Sequence, residues 1–271
     1  MRKAFLLLLV LLCVSAAAAA DMPALRAFDA EQSPQYLYVT FGLYPQGKNG
    51  EEAPVIWRVL GPGMPGESDV INAANCPDRN AVLEVNGEPY TEETQDVYAL
   101  LSEYIIDFIT YHPKKDKNGK PLDYVKSQMY QTMNTEVIHR LFTAGEQAAL
   151  VEMPERGLLG LPSRKGELHR EDYGFINEDF KKWKTRIATG TPYAFAKGLR
   201  NIEGNSWYWT TDWRRYGYRW INGDDGHISV SGVDREGGIR PVIYVHTGML
   251  DCAGGAGTLE DPYRLSVKAE K

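Results

Sequence analysis

The side chains able to do chemistry are sparse in this chain and badly spaced for it. The five histidines, His112, His139, His169, His227 and His246, stand far apart. None falls in an HExxH pattern or another zinc spacing, and no serine sits in a GxSxG elbow. Asp116, Asn118 and Asp123 bring oxygens to a Lys-rich loop at intervals loosely like those of a calcium loop. A third ligand and the closing Glu are missing. Asn222-Gly-Asp224-Asp225-Gly226 is turn chemistry between two strands rather than a ligand set. The sequence therefore predicts no metal, no cofactor and no catalytic residue.

Rings are the second resource. Four of the six Trp lie between Trp207 and Trp220, with Tyr208, Tyr216 and Tyr218 among them. Such rings are either a sheet interior or a binding surface, because each is large, rigid and half-polar. Trp207, Trp209, Tyr218 and Trp220 read as sheet interior, as does Trp57 between Ile56 and Arg58. Trp213 and Tyr216 sit among Asp212, Arg214 and Arg215 at a turn, where ring and charge meet. Asp212, Trp213, Arg214 and Tyr216 are the predicted ligand-binding rim, suited to a glycan or a protein.

Arg240 stands before Pro241 in an apolar run. An inward-facing Arg needs a partner, since an unpaired buried charge is costly. Asp212, Asp234 and Glu236 are the candidates, and the expected role is a structural ion pair.

The elements that must position these residues follow from periodicity. Tyr36 to Phe41 and Pro54 to Leu60 read as strands joined by a QGKNGEE hairpin connection. Gly61 to Thr94 reads as a loop excursion with one weak strand or hairpin. Val97 to Ile109 leans towards strand at its start. Val125, Met129, Met133, Val137 and Leu141 recur every four residues, a helical stripe. Thr143 with Glu146 resembles a capping box. Gly157 to Leu161 is a candidate strand, and Ser163 to Glu167 a candidate helix start. Pro192 sits at the first position of a short helix over 191–197. The aromatic block has period two, broken at Arg214-Arg215, Asn222–Gly226 and Arg235–Gly238, which predicts an antiparallel meander. Ile239 to Val245 is the last apolar run. Helices in the middle and strands at both ends give an α+β class with a small, mostly antiparallel sheet.

The N-terminus reads as a processing signal. Arg2 and Lys3 precede an apolar run from Ala4 to Val14, then small residues up to Ala20. The run is too short to span a bilayer, and Leu12 before Cys13 does not suit lipid attachment. The expected plan is a signal peptide over 1–20, a leader over 21–35, one globular domain over 36–250 and a tail over 251–271, in an exported protein, secreted or periplasmic. With 30 Lys+Arg and 36 Asp+Glu, losing Arg2 and Lys3 leaves 28 against 36, a net of −8. That balance argues against nucleic acid and anionic membrane as partners. Export leaves Cys76 and Cys252, which either pair as a disulfide, the expectation in an oxidising compartment, or stay as buried thiols.

Several landmarks fall in a recognisable order: Phe41-Gly-Leu-Tyr-Pro-Gln46, Ile56-Trp-Arg-Val-Leu60, Leu100-Leu-Ser-Glu103, Met133-Asn134, Phe142-Thr-x-x-Glu146, Trp207-Tyr-Trp-Thr210 and Gly238-Ile-Arg-Pro241. The chain from about Tyr36 to Val245 resembles a family of exported bacterial domains without an established function. Met-Asn stands where that family has Leu-Asn, and Thr-Thr follows the Trp pair where Arg-Ser is usual. Gly257 to Tyr263 resembles a short element common at the ends of exported bacterial modules. More distantly, the closing block resembles the C-type-lectin-like fold of formylglycine-generating enzymes. The resemblance implies a C-type-lectin-like core but licenses no activity. The copper chemistry of those enzymes needs two thiols at one site, and neither Cys76 nor Cys252 lies in a matching motif. The expectation is an exported, non-catalytic module that binds a glycan or protein at the cell envelope. The alternatives are an enzyme on the formylglycine-generating-enzyme-like fold and a purely structural surface module.

Overall fold

Residues 36–62, 84–85, 88–89, 97–112, 123–168, 173–175, 185–214, 217–221 and 223–269 are described by the computed structural model. The expected signal peptide and leader, the calcium-like loop except Asp123, and Cys76, His169, Tyr216 and Asn222 lie outside them.

The first two runs form the predicted hairpin. β1 (Leu37–Pro45) and β2 (Glu52–Pro62) pair antiparallel, with a register shift between Thr40 and Leu43. Gly42 sits in that shift at φ +71°, where a Cβ would lie 2.5 Å from the Leu141 carbonyl oxygen and 2.7 Å from the Phe142 ring. Only glycine allows both the conformation and the close approach. β3 (Glu84–Val85) and β4 (Glu88–Pro89) make the small hairpin expected of the loop excursion. The 97–109 run becomes two strands, β5 (Val97–Ser102) and β6 (Asp107–Thr110), in different sheets.

The helical stripe forms as expected and carries a device the periodicity did not reveal. α1 (Gln128–Thr132) passes through a π-turn (Met133–Val137) into α2 (Ile138–Leu141). In an ideal α-helix a strict every-fourth repeat drifts by about 40° per step. The wider π-turn takes up that drift, so Met129, Met133, Val137 and Leu141 all stay buried. α3 (Ala144–Ala148) has the full capping box between Thr143 and Glu146, and α4 (Pro192–Ala196) is capped by the Thr191 side chain. The 157–161 strand does not form: Gly157 and Gly160 make only isolated bridges, to Met153 and Val242. Ser163 caps one π-turn (Arg164–Leu168) rather than a longer helix.

β7 (Ala188–Thr189) and β8 (Asn205–Ser206) form a two-stranded ribbon. β9 (Tyr208–Arg214), β10 (Gly217–Ile221) and β11 (Ile228–Ser231) are the predicted meander. The next run departs from it. Arg240 and Pro241 split it into β12 (Glu236–Ile239) and β13 (Val242–His246), which belong to different sheets. Pro241 has no N–H to give a ladder, so a strand cannot run straight through it. Residues 251–267, expected in a tail, join the six-stranded sheet. β14 (Leu250–Ala253) and β15 (Tyr263–Val267) pair with each other, and β15 lies parallel to β1.

One small sheet was expected, and there are two larger ones. A six-stranded sheet runs β13-β5-β2-β1-β15-β14, and a five-stranded sheet runs β11-β10-β9-β12-β6. Neighbours are antiparallel except β1 with β15 and β9 with β12. The molecule mixes α and β, with antiparallel pairing dominant and the α-helices between β6 and β9. Apolar side chains gather in two clusters, one around Trp57, Phe142 and Trp209, the other around Leu101, Tyr173 and Tyr208. Tyr208 and Trp209 are adjacent on β9 and both fully buried, so the five-stranded sheet is covered on both faces there.

Candidate functional site

Three landmarks meet at one polar centre. Arg58 follows Trp57 on β2, so strand alternation turns it away from the core that Trp57 enters, where the indole N–H donates to the Phe41 carbonyl at 2.8 Å. Glu103 stands just past the end of β5. The Arg58 guanidinium donates to both carboxylate oxygens of Glu103, at 2.8 and 2.9 Å. The Tyr36 ring lies 4.2 Å from that guanidinium. Burial opposes the charge on Arg58, but Glu103 more than offsets it and holds the group protonated. Burial likewise pushes the Tyr36 and Tyr38 hydroxyls up from the usual tyrosine range.

Arg240 enters the same centre from the β12–β13 break and is fully buried. Its Nε donates to the Ser102 carbonyl at 2.8 Å, and its Nη1 to the Arg186 carbonyl and the Tyr208 hydroxyl, each at 3.3 Å. Its Nη2 lies 3.8 Å from Glu103 and makes no hydrogen bond. The structural role expected of Arg240 fits this, but the partner is Glu103 and the carbonyls, not Asp212, Asp234 or Glu236. Asp234 and Glu236 face solvent, and Asp212 accepts a hydrogen bond from the Arg164 backbone N–H. The break at Pro241 carries Arg240 between the two sheets, beyond their reach.

Two further buried carboxylates are closed in the same way. Glu167 accepts from Arg156 at 2.8 Å, from the Tyr244 hydroxyl at 3.0 Å and from the Ser163 N–H at 2.7 Å. Asp107 accepts from the Tyr44 hydroxyl at 2.6 Å and the Phe108 N–H at 2.7 Å, and pairs with Lys197. Burial, then the neighbouring carboxylate, pushes the Tyr44 and Tyr244 hydroxyls well up. In all three networks both carboxylate oxygens accept from protein donors, so these groups join separate elements of the chain.

The predicted ligand rim is only partly placed. Asp212 is half-buried and spends its carboxylate on the turn that opens at Arg164. Trp213 and Arg214 lie in β9, opposite Tyr218 and Gly217, past a register shift in the β9–β10 pairing. Their side chains, like that of Tyr218, lie outside the described residues, as does Tyr216 altogether. The rings that do come together are Trp207, Trp209 and Trp220. Trp207 stands edge-on to Trp209 at 5.1 Å and to Trp220 at 5.0 Å. Trp209 and Trp57 are fully buried, as expected of sheet interior. Trp207 and Trp220 pack against the same core yet stay half-buried. Trp207 lies over Gly237, where a Cβ would be 2.3 Å from its ring. The indole N–H groups of Trp209 and Trp220 have no hydrogen-bond acceptor.

The other candidates are dispersed. His112 accepts from the Gln128 N–H, His139 contacts Gln147, and Asp123 pairs with Lys126. Asp225 accepts from the His227 N–H within its turn. Among the described residues, no three His, Cys, Asp or Glu side chains come together as metal ligands would. Cys252 is buried on β14, which raises its pKa, and has no disulfide partner among the described residues; its expected partner Cys76 lies outside them.

Family models, curated proteins and solved structures yield no match to this chain. Among the described residues, no helix is long and apolar enough to cross a membrane.

The residue that sequence reasoning missed is Glu103. Its signal was present: Arg58, Glu103 and Arg240 are each the one charged residue of an otherwise uncharged landmark, and three such charges invite one shared centre.

Proposed function

We propose that this chain is an exported, non-catalytic module that binds a ligand, a glycan in the first instance, along the indole edge of the five-stranded sheet. The observation that carries the reading is the Trp207–Trp220 pair, left half-buried while Trp209 beside it is fully covered. A sheet interior would cover all three. Rings held edge-on at fixed angles offer rigid apolar faces at little entropic cost, which suits a sugar ring. The protein donors already engaged by both oxygens of Glu103, Glu167 and Asp107 support a binding role over an acid–base one. The C-type-lectin-like core suggested by the sequence resemblance is part of the same proposal.

The test is a glycan array probed with residues 21–271, beside Trp207→Ala and Trp213→Ala variants of unchanged far-UV circular dichroism. The expected result is a defined set of bound glycans, weakened at least tenfold by Trp207→Ala. Binding that survives both substitutions rules out the indole edge. An empty array removes the glycan reading.

A further inference from the structure

A second cluster holds a half-exposed guanidinium whose one carboxylate contact among the described residues is long. Arg140, on α2, extends over two tyrosine rings, its Cζ 5.5 Å from the Tyr44 centroid and 5.9 Å from that of Tyr193. The two rings meet edge-on at 6.2 Å. Tyr44 is fixed by its hydrogen bond to Asp107, and Tyr193 by its backbone N–H, which donates to the Gln46 carbonyl. Lys197 stands 5.5 Å from the Tyr193 centroid, a second cation close to that ring. Lys197 is committed to Asp107. Arg140 is held less tightly: it pairs with Glu52 at 3.6 Å, an exposed contact too long for a hydrogen bond. Its side chain is 45% exposed. A free surface arginine spreads over many rotamers, whereas this one is held by two ring contacts and by the long Glu52 pair, which a better-placed carboxylate can displace.

We infer that Arg140 and Tyr193 form a subsite for a uronic acid residue of an acidic oligosaccharide. The carboxylate takes the Arg140 fork in a bidentate pair, displacing Glu52, while the sugar ring lies on the exposed part of Tyr193. The flanking Lys197 adds positive potential without surrendering Asp107. A carboxylate on a ring satisfies both the fork and the aromatic face, and an acidic peptide satisfies only the fork. The inference rests on the binding-module reading for the class of ligand, but the two sites share no residue.

Isothermal titration of the mature chain with trigalacturonate at low salt, beside its full methyl ester, tests it. Binding of the acid and not the ester is expected. Arg140→Ala should weaken it at least tenfold, and Arg140→Lys severalfold, because charge is kept but the fork is lost. Glu52→Gln, which removes the competing carboxylate, should tighten it two- to threefold. Equal binding of acid and ester, equal binding of a pentaglutamate peptide, or unchanged affinity in Arg140→Ala overturns the inference. No binding of trigalacturonate also overturns it, and leaves the indole edge standing.

Discussion

Replacing Arg240 with alanine tests the polar centre most directly. The substitution deletes the donor to the Ser102 carbonyl at 2.8 Å and two weaker donors at 3.3 Å, in a site with no exposure to water. The Arg186 carbonyl keeps the Tyr208 hydroxyl at 2.7 Å, and Glu103 keeps Arg58, so the Ser102 carbonyl loses most. A buried hydrogen bond from a charged donor contributes about 2 kcal/mol. The space left by the stem costs about 2 kcal/mol more. A loss of about 4 kcal/mol in a chain of this size lowers Tm by about 8–16 °C. Thermal unfolding of residues 21–271 followed by circular dichroism reads it. Arg240→Lys should recover only part of the loss, since one ammonium cannot span the three acceptors. A Tm within about 2 °C of the parent refutes the reasoning, because ~4 kcal/mol cannot vanish into so small a shift.

Gly237→Ala drives a methyl into Trp207 and Trp209, so a loss of about 1–3 kcal/mol and a changed indole emission spectrum are expected. Denaturant titration followed by fluorescence checks both, and an unchanged midpoint contradicts the packing described. Alkaline stability offers an independent measurement. The Tyr44 and Tyr244 hydroxyls are raised in the folded chain above the unfolded value of about 10. Their contribution is therefore complete below pH ~10 and drains away above it, as the unfolded tyrosines ionise and the folded ones do not. Tm should fall between pH 9 and pH 11, and less steeply in Tyr44→Phe. A flat profile over that range contradicts the burial of these hydroxyls.

Local signals in the sequence were legible wherever short-range physics decides the outcome. The 36–60 hairpin, the Met129–Leu141 stripe, the Thr143 capping box and the Pro192 helix all depend on neighbours within a few residues. The meander of β9 to β11 was legible for the same reason. What could not be read is what long-range pairing decides. Residues 239–245 look like one apolar run, and only the placement of two sheets shows that Pro241 divides it between them. Residues 263–267 look like a tail until β1 is known to need a neighbour. The partner of Arg240 belongs to the same class: Asp234 and Glu236 were close in sequence, whereas Glu103 is close in space. For the site, the fully buried Trp57 and Trp209 followed from composition. How closely Trp207 and Trp209 pack depended on Gly237, whose missing side chain gives no pattern of its own.

The parallel seam between β1 and β15 has a consequence for how the chain comes to be folded. Thr40 and Tyr263 touch across 223 positions of sequence. A chain emerging from its N-terminal side can build the β2–β1 hairpin early, and the β13-β5-β2-β1 portion once residues 242–246 exist. The outer edge of β1 then has its backbone groups unpaired until residues 263–267 arrive. During that interval it is a template for any other strand in reach. Folding is thereby tied to the arrival of β15: a chain stopped short of it is an open edge waiting for a stranger.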